Sequence, residues 1–165
     1  MKELFIVRHA KSSWENRQLR DFDRPLNPRG KRTAPIVAQR LRKEILTPDL
    51  ICSSPANRAL STAKIFAEEL DYPTSEIVEE ISIYESSLNN MLELIYRFSD
   101  EYDSIMLFGH NPTFTFLAEY LSGNSFGNLP TAATVGIRFD IDNWKYVSRE
   151  TGEVFLYEYP KKYQA

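Results

Sequence analysis

With 165 residues, 42% of them apolar and 26% charged, the chain reads as a soluble globular domain long enough to bury a proper core. Its composition excludes three classes of protein. No apolar run approaches the ~20 residues of a membrane span, a lone cysteine (Cys52) excludes an internal disulfide, and two histidines leave no His/Cys-rich metal cluster. The net charge of −3 argues against general nucleic-acid binding. It is unevenly spread: residues 8–32 hold eight Lys/Arg against three acids, a local +5 able to focus a small anion. Met1-Lys2-Glu3 is read as leading straight into a strand, so no secretory signal is expected. We therefore expect one domain over 1–165, in a reducing cytoplasm, with neither membrane nor nucleic acid as partner.

The first element is the apolar run 4–7, Leu-Phe-Ile-Val, bounded by charge on both sides. It predicts a short strand buried on both faces, as in a parallel sheet. Arg8 and His9 follow where the chain leaves the sheet, and ligands of open α/β sheets bind beyond the carboxyl ends of strands. Residues 10–27 show no period and hold turn formers, a long loop of the kind that is often functional. Asn27-Pro28 predicts an N-cap followed by proline at the first helical position. Ala34, Val37, Ala38, Leu41 and Ile45 then share a face, with Pro35 expected to kink the helix. A second strand is expected at 49–52, and Ser54-Pro55 reads as another cap-and-proline start to a helix with Ala59, Ala63, Phe66 and Leu70 inward.

Ile77-Val78 predicts a short third strand, and Leu88, Met91, Leu92, Ile95 and Phe98 a third helix. Residues 104–108 repeat the buried apolar run and end in Gly109-His110; Asn111-Pro112 then opens a fourth helix with Phe114, Leu117, Ala118 and Leu121 inward. Residues 134–141 and 153–159 are expected to form an antiparallel edge pair. The order βαβαβαβαββ predicts a three-layer α/β/α fold, with a mainly parallel sheet and an antiparallel C-terminal edge.

Three strands thus end in polar clusters: Arg8-His9, Ser53-Ser54 and Gly109-His110. Two of them run into helix starts, which offer free N–H groups to an anion, and Arg58 lies one turn into the second helix. Arginine meets phosphate with a planar fork of donors, and neutral imidazole is a competent nucleophile because its ordinary pKa is about 6.5. Either histidine alone reads as a hydrogen-bonded structural residue; their joint placement after two buried strands points to catalysis.

The blocks that carry this site resemble the histidine phosphatase superfamily, also called phosphoglycerate-mutase-like. Arg8-His9-Ala10 is similar to that family's Arg-His-Gly signature, and Lys11-Ser12-Ser13-Trp14 to the Glu-Ser-x-Trp run of its mutases. The stretch from Ser53 through Arg58-Ala59 to Thr62-Ala63 resembles the Ser-Pro-x-x-Arg-Ala-x-x-Thr-Ala block. Gly109-His110-Asn111-Pro112 resembles the second histidine block, and Leu129-Pro130-Thr131 the late Pro-Thr turn. Asp23-Arg24-Pro25-Leu26-Asn27 and Gly30 bring the chain nearest to the small phosphohistidine phosphatases of SixA type. The resemblance implies a phosphoglycerate-mutase-like fold and a phosphatase acting on a phosphorylated protein or a small phosphate ester, with no metal and no other cofactor. It implies His9 as nucleophile and carrier of a phosphohistidine, with Arg8, Arg58 and His110 holding the phosphoryl oxygens and water completing hydrolysis. Ser12 joins the phosphate-binding set. So does Asn16, because Glu15 stands where mutases place a phosphate-binding Asn. Ala10 departs from the family's glycine and removes backbone freedom after the nucleophile. Ile83-Tyr84-Glu85 resembles the segment that carries the proton donor, which makes Glu85 the candidate acid; that role needs a raised pKa. Asp23 is a second candidate, read in preference as the partner of Arg24 or another loop arginine.

Other readings remain open on the sequence. Cys52 and Arg58 fit Cys-x5-Arg, the phosphate loop of cysteine-dependent phosphatases, but Pro55 has no N–H to donate and the loop has no glycine. A phosphate-binding module without turnover would need the arginines and not the nucleophile. A mutase would need a segment to close over a sugar phosphate, and the chain is short for one.

Overall fold

In the computed structural model, which describes residues 1–164, the run 4–7 lies inside a six-stranded sheet and feeds two cores at once. On β1 (Lys2–Arg8), Leu4 and Ile6 enter one core while Phe5 and Val7 enter the other. On β4 (Ser104–Gly109), Ile105 and Leu107 alternate in the same way with Met106 and Phe108. Side chains alternate across a strand, so an unbroken apolar run is what burial on both faces requires. Each such side chain, at or near 0% exposure, contributes about 1.5–3 kcal/mol of transfer free energy.

The other strands are β2 (Leu50–Ser53), β3 (Val78–Glu79), β5 (Thr134–Phe139) and β6 (Glu153–Glu158). The spatial order is β3-β2-β4-β1-β5-β6. The first four strands in sequence run parallel, β5 is antiparallel to β1, and β6 is antiparallel to β5, so the antiparallel C-terminal edge falls where expected. Helices α1 (Pro28–Arg42) and α2 (Asn57–Glu69) cover one face, and α3 (Leu88–Tyr96) and α4 (Thr113–Ser122) the other. The change of face follows from right-handed crossovers. The chain steps outward from β1 through β2 to β3, then back to insert β4.

Helix starts depart in part from the reading of the sequence. Asn27 caps α1 as expected, its side chain accepting from Gly30 N at 2.8 Å, and α1 continues through Pro35. The proline removes the bond to the carbonyl of Lys31, a residue on the exposed side. Ser54-Pro55 does not begin α2, which starts at Asn57 with Ala56 as boundary. The Ser54 hydroxyl accepts from Ala56 N in a local turn and also reaches His110. Helix α4 starts at Thr113, yet Asn111 Oδ1 still accepts from Thr115 N at 3.2 Å. Residues 10–27 hold more order than a long loop suggests. Ser12 bridges Leu26, and Asn27 N donates to Lys11 O at 3.0 Å. Gly30 permits this closure, because a Cβ there would collide with the Lys11 carbonyl.

Candidate active site

Strand register brings the polar clusters together. In the parallel pair β1–β4, Arg8 is opposite Gly109, so the next residues, His9 and His110, leave the sheet side by side. Their ring centroids lie 5.3 Å apart, close to the spacing of adjacent strands. On the far side of β4, Ser53 is opposite Phe108, which brings Ser54 alongside the same edge. Its hydroxyl lies 2.8 Å from His110 Nε2. Gly109 keeps β4 close to α4, since a Cβ there would strike the Phe114 ring.

The result is a pocket of about 230 Å³ whose lining includes Arg8, His9, Ser12, Arg24, Arg58 and His110 and, among the described residues, no carboxylate. His9 is 8% exposed. Its Nδ1 lies 2.7 Å from the carbonyl oxygen of Ala10. A carbonyl only accepts, so Nδ1 carries the proton and the lone pair of the neutral ring is on Nε2. Burial, followed by the neighbouring His110, Arg58 and Arg8 charges, depresses the His9 pKa to about 3 against the support of the Ala10 carbonyl. Burial and the Arg58 charge likewise lower His110 to about 4. Both imidazoles are therefore neutral at pH 7.

The backbone around His9 is fastened from three sides. His9 N donates to Gly109 O, and Ala10 N to Thr62 Oγ1, whose own hydroxyl donates to Arg58 O at 2.7 Å. Ala132 N donates to the carbonyls of Arg8 and His9. Ala10, in place of the family's glycine, is fully buried and is not among the residues with positive φ. The position therefore makes no demand that only glycine could meet.

The arginines are held from behind. Arg8 Nη1 donates to Leu129 O at 2.6 Å. Arg58, 6% exposed, donates through Nη1 to the Asp21 carbonyl and through Nη2 to its carboxylate at 3.0 Å. Asp21 also accepts from Tyr84 Oη at 2.7 Å and Arg24 Nε at 3.2 Å. Partial burial opposes ionisation of Asp21, but the bonds from Tyr84 and Arg58, with the Arg58 and Arg24 charges, hold its carboxyl at about 2. Arg24 continues to Ser12 Oγ at 3.1 Å and stacks 3.5 Å from the centroid of Trp14. The Tyr84 ring packs edge-on against His110 at 5.6 Å.

Of the residues singled out in the sequence, Arg8, His9, Arg58, His110 and Ser12 line this one pocket. Asn16 is exposed and does not line this pocket; it lines a neighbouring depression that shares Trp14 and Arg24 with it. Glu85 is exposed, has φ 53°, and stands one residue beyond Tyr84, outside the pocket lining. Asp23 pairs with Arg20 at 3.0 Å, the loop ion pair preferred for it. The sequence does not single out Asp21, and it marks Arg24 only as part of a family block and as a possible partner of Asp23. In sequence they are two more charges in a basic loop, and only their closure onto Arg58 and Ser12 sets them apart. Cys52 is fully buried and belongs to the core on the α3–α4 face; burial, then the Glu80 charge, pushes its thiol up to about 12. A thiol so protonated is no nucleophile, which removes the physical basis of the cysteine mechanism.

The three-layer arrangement of helices about a mainly parallel sheet is that of the phosphoglycerate-mutase-like fold. The chain belongs to the histidine phosphatase superfamily: the model of that superfamily's branch 1 matches residues 4–115. An uncharacterized chloroplastic protein of Arabidopsis thaliana is 34% identical over 132 residues, which cover 75% of this chain and 61% of the relative. A structure assigned to the phosphohistidine phosphatase SixA of Agrobacterium tumefaciens superposes with a TM-score of 0.80 at 27% identity, covering 94% of this chain and 96% of that one. A protein histidine phosphatase SixA complexed with tungstate gives 0.81 at 19% identity, covering 96% and 97%. The class of enzyme is thereby a phosphatase. Among the described residues no helix is long and apolar enough to cross a membrane.

Proposed function

We propose that the chain hydrolyses a phosphohistidine protein or a small phosphomonoester through a phosphohistidine on His9. The observation that carries this reading is the His9 Nδ1–Ala10 carbonyl bond, which sets the tautomer of the neutral ring so that its lone pair is on Nε2, in the pocket lined by Arg8, Arg58 and His110. In the first step Nε2 attacks phosphorus, the bond from phosphorus to the leaving oxygen or nitrogen breaks, and the leaving group departs with that electron pair and takes a proton. In the second step water attacks phosphorus, the P–N bond breaks, and inorganic phosphate leaves with neutral His9 restored. Arg8 and Arg58 stabilise the charge that spreads over the equatorial oxygens, and their anchors at Leu129 and Asp21 hold them in place beforehand. The tungstate bound by the SixA relative is a tetrahedral oxyanion of the same shape class as the phosphoryl group proposed here.

In this reading Glu85, or water in its place, supplies the leaving-group proton, and the attacking water returns it in the second step. The chemistry needs no metal. Brief incubation with labelled substrate should leave acid-labile, base-stable phosphate on His9, and chelation should not reduce turnover. Label on another residue, or activity restored by one divalent metal after chelation, would overturn the mechanism. Glu85→Gln should slow esters with poor leaving groups more than activated aryl esters; an equal effect on both removes Glu85 as the acid.

A further inference from the structure

Beside the pocket at His9 lies a second cavity, of about 430 Å³. The two share Arg8, Lys11 and Thr131. The second cavity adds Arg29 and Lys161, and among the described residues no acidic one lines it. Among the described residues, Lys11, Arg29 and Lys161 enter no ion pair, whereas Arg20, Arg24, Arg40 and Arg58 each do. Buried Nε of Arg8, a residue that lines both cavities, has no hydrogen-bond partner among the described residues.

Helix stability does not explain this arrangement. Arg29 sits in the first turn of α1, which holds no acid, and a cation there opposes the helix dipole. Both the dipole and the four cations favour an anion at this position. The protein as a whole is negative, so an acidic substrate is repelled over most of the surface and drawn to this strip.

We propose that this cavity receives a second acidic group, a carboxylate or phosphate, carried by the same molecule whose phosphoryl group lies at His9. The inference rests on the proposed function. The favoured substrates are then phosphoryl compounds whose leaving portion bears an acid a few ångströms from the reacting phosphorus. The acid belongs either to a small molecule or to a side chain flanking a phosphohistidine, and the chemistry of recognition is the same for both.

The test compares phenyl phosphate with 3-carboxyphenyl phosphate, and phosphoramidate with a histidine-phosphorylated carrier domain of acidic surface. The enzymes are the wild type and the double variant Arg29→Gln, Lys161→Gln. Both positions are exposed, so the double variant should fold as the wild type does. Wild type should prefer the acid-bearing member of at least one pair by about 10-fold in kcat/KM, the size expected from two partly screened charge contacts. The double variant should lose that preference while phenyl phosphate and phosphoramidate change less than ~3-fold. Loss confined to 3-carboxyphenyl phosphate assigns the acid to a small molecule; loss confined to the carrier domain assigns it to a protein. Unchanged preferences, or an equal fall for neutral and acidic members, would overturn the inference. Failure of the underlying mechanism is distinguishable, because then no label reaches His9 with any substrate.

Discussion

Strand β1 carries a cation at each end, and the two ends treat their polar groups differently. At the lower end Lys2, 2% exposed, donates to the Asp100 and Tyr102 carbonyls at 2.6 and 2.9 Å and to the Asp103 carboxylate at 2.9 Å. The indole N–H of buried Trp144 donates to the same Tyr102 carbonyl, and its backbone N–H donates to Asp100. At the upper end, Arg8 Nε, Arg58 Nε and His110 Nδ1 are buried without a protein partner. Thr134 Oγ1, on the residue paired with Val7, and Ser82 Oγ complete that set among the described residues. Buried polar groups are nearly always paired, so such clustering marks a place organised for something other than stability. The lower end uses its charges to hold the fold. In the proposed mechanism the upper end keeps its donors and two neutral imidazoles for the phosphoryl group, at a cost in stability.

The largest effect should come from His9→Ala. Turnover should fall at least ~10⁴-fold, because no neighbouring group replaces the attacking nitrogen. Resistance to denaturant at pH 7 should be retained, since the change removes a desolvated imidazole and no packing anchor. A large loss of stability would erase the contrast between the two ends.

Arg58→Ala should lower kcat/KM by about 10²–10³, the usual cost of removing one aligned donor to a charged transition state. It should also weaken inhibition by vanadate or tungstate, and the Asp21 carboxyl, deprived of a hydrogen bond and a charge, should titrate above its value of about 2. An inhibitor affinity equal to wild type would remove Arg58 from the phosphate site.

Acid should act through the upper end. His9 and His110 take up protons near 6.5 when unfolded, but only at about 3 and about 4 when folded. Between those values the unfolded chain binds more protons, so stability is full above pH 6.5 and falls as pH drops toward the folded values. Asp21 adds the same sign lower down, its contribution present above pH 3.8 and lost toward about 2. Denaturant midpoints at pH 7, 5.5 and 4.5 should fall in the wild type, and less steeply in His9→Ala. Parallel curves would show that the buried imidazoles do not set the slope.

Lys2→Met is the complement. It should cost about 1–3 kcal/mol of stability, since it leaves carbonyls at the lower end short of a donor. The kcat of the folded fraction should stay within ~2-fold, as measured by active-site titration alongside thermal melts. The smallest effect belongs to Cys52→Ala: unchanged turnover and a stability loss of about 1 kcal/mol for one buried atom. Loss of activity there would revive a cysteine mechanism that the buried thiol gives no reason to expect.

Much of this was legible in the chain. The runs 4–7 and 104–108 announced strands buried on both faces, and the alternation of Leu4 and Ile6 with Phe5 and Val7 between two cores is the physical content of that reading. Arg8-His9 and Gly109-His110 were visible as strand-end clusters, because a buried parallel strand has nowhere to place such groups except beyond its end. The sequence was misleading at Ser54-Pro55. The dipeptide has the chemistry of a helix start, but its hydroxyl forms a turn and a contact to His110, and α2 begins at Asn57.

Local composition and periodicity thus determined the element types, the two-sided sheet and the histidines and arginines at its edge, since each depends on residues a few positions apart. Only the tertiary structure decided that β4 inserts between β2 and β1, which brings His110 within 5.3 Å of His9 across about a hundred residues of chain. It alone turned Asp21 and Arg24, two charges in a loop rich in them, into the brace behind Arg58 and Ser12. It also left Asn16 and Glu85 exposed, outside the pocket lining. Pairings of this kind depend on which segments the packed core brings together, and no spacing along the chain records that.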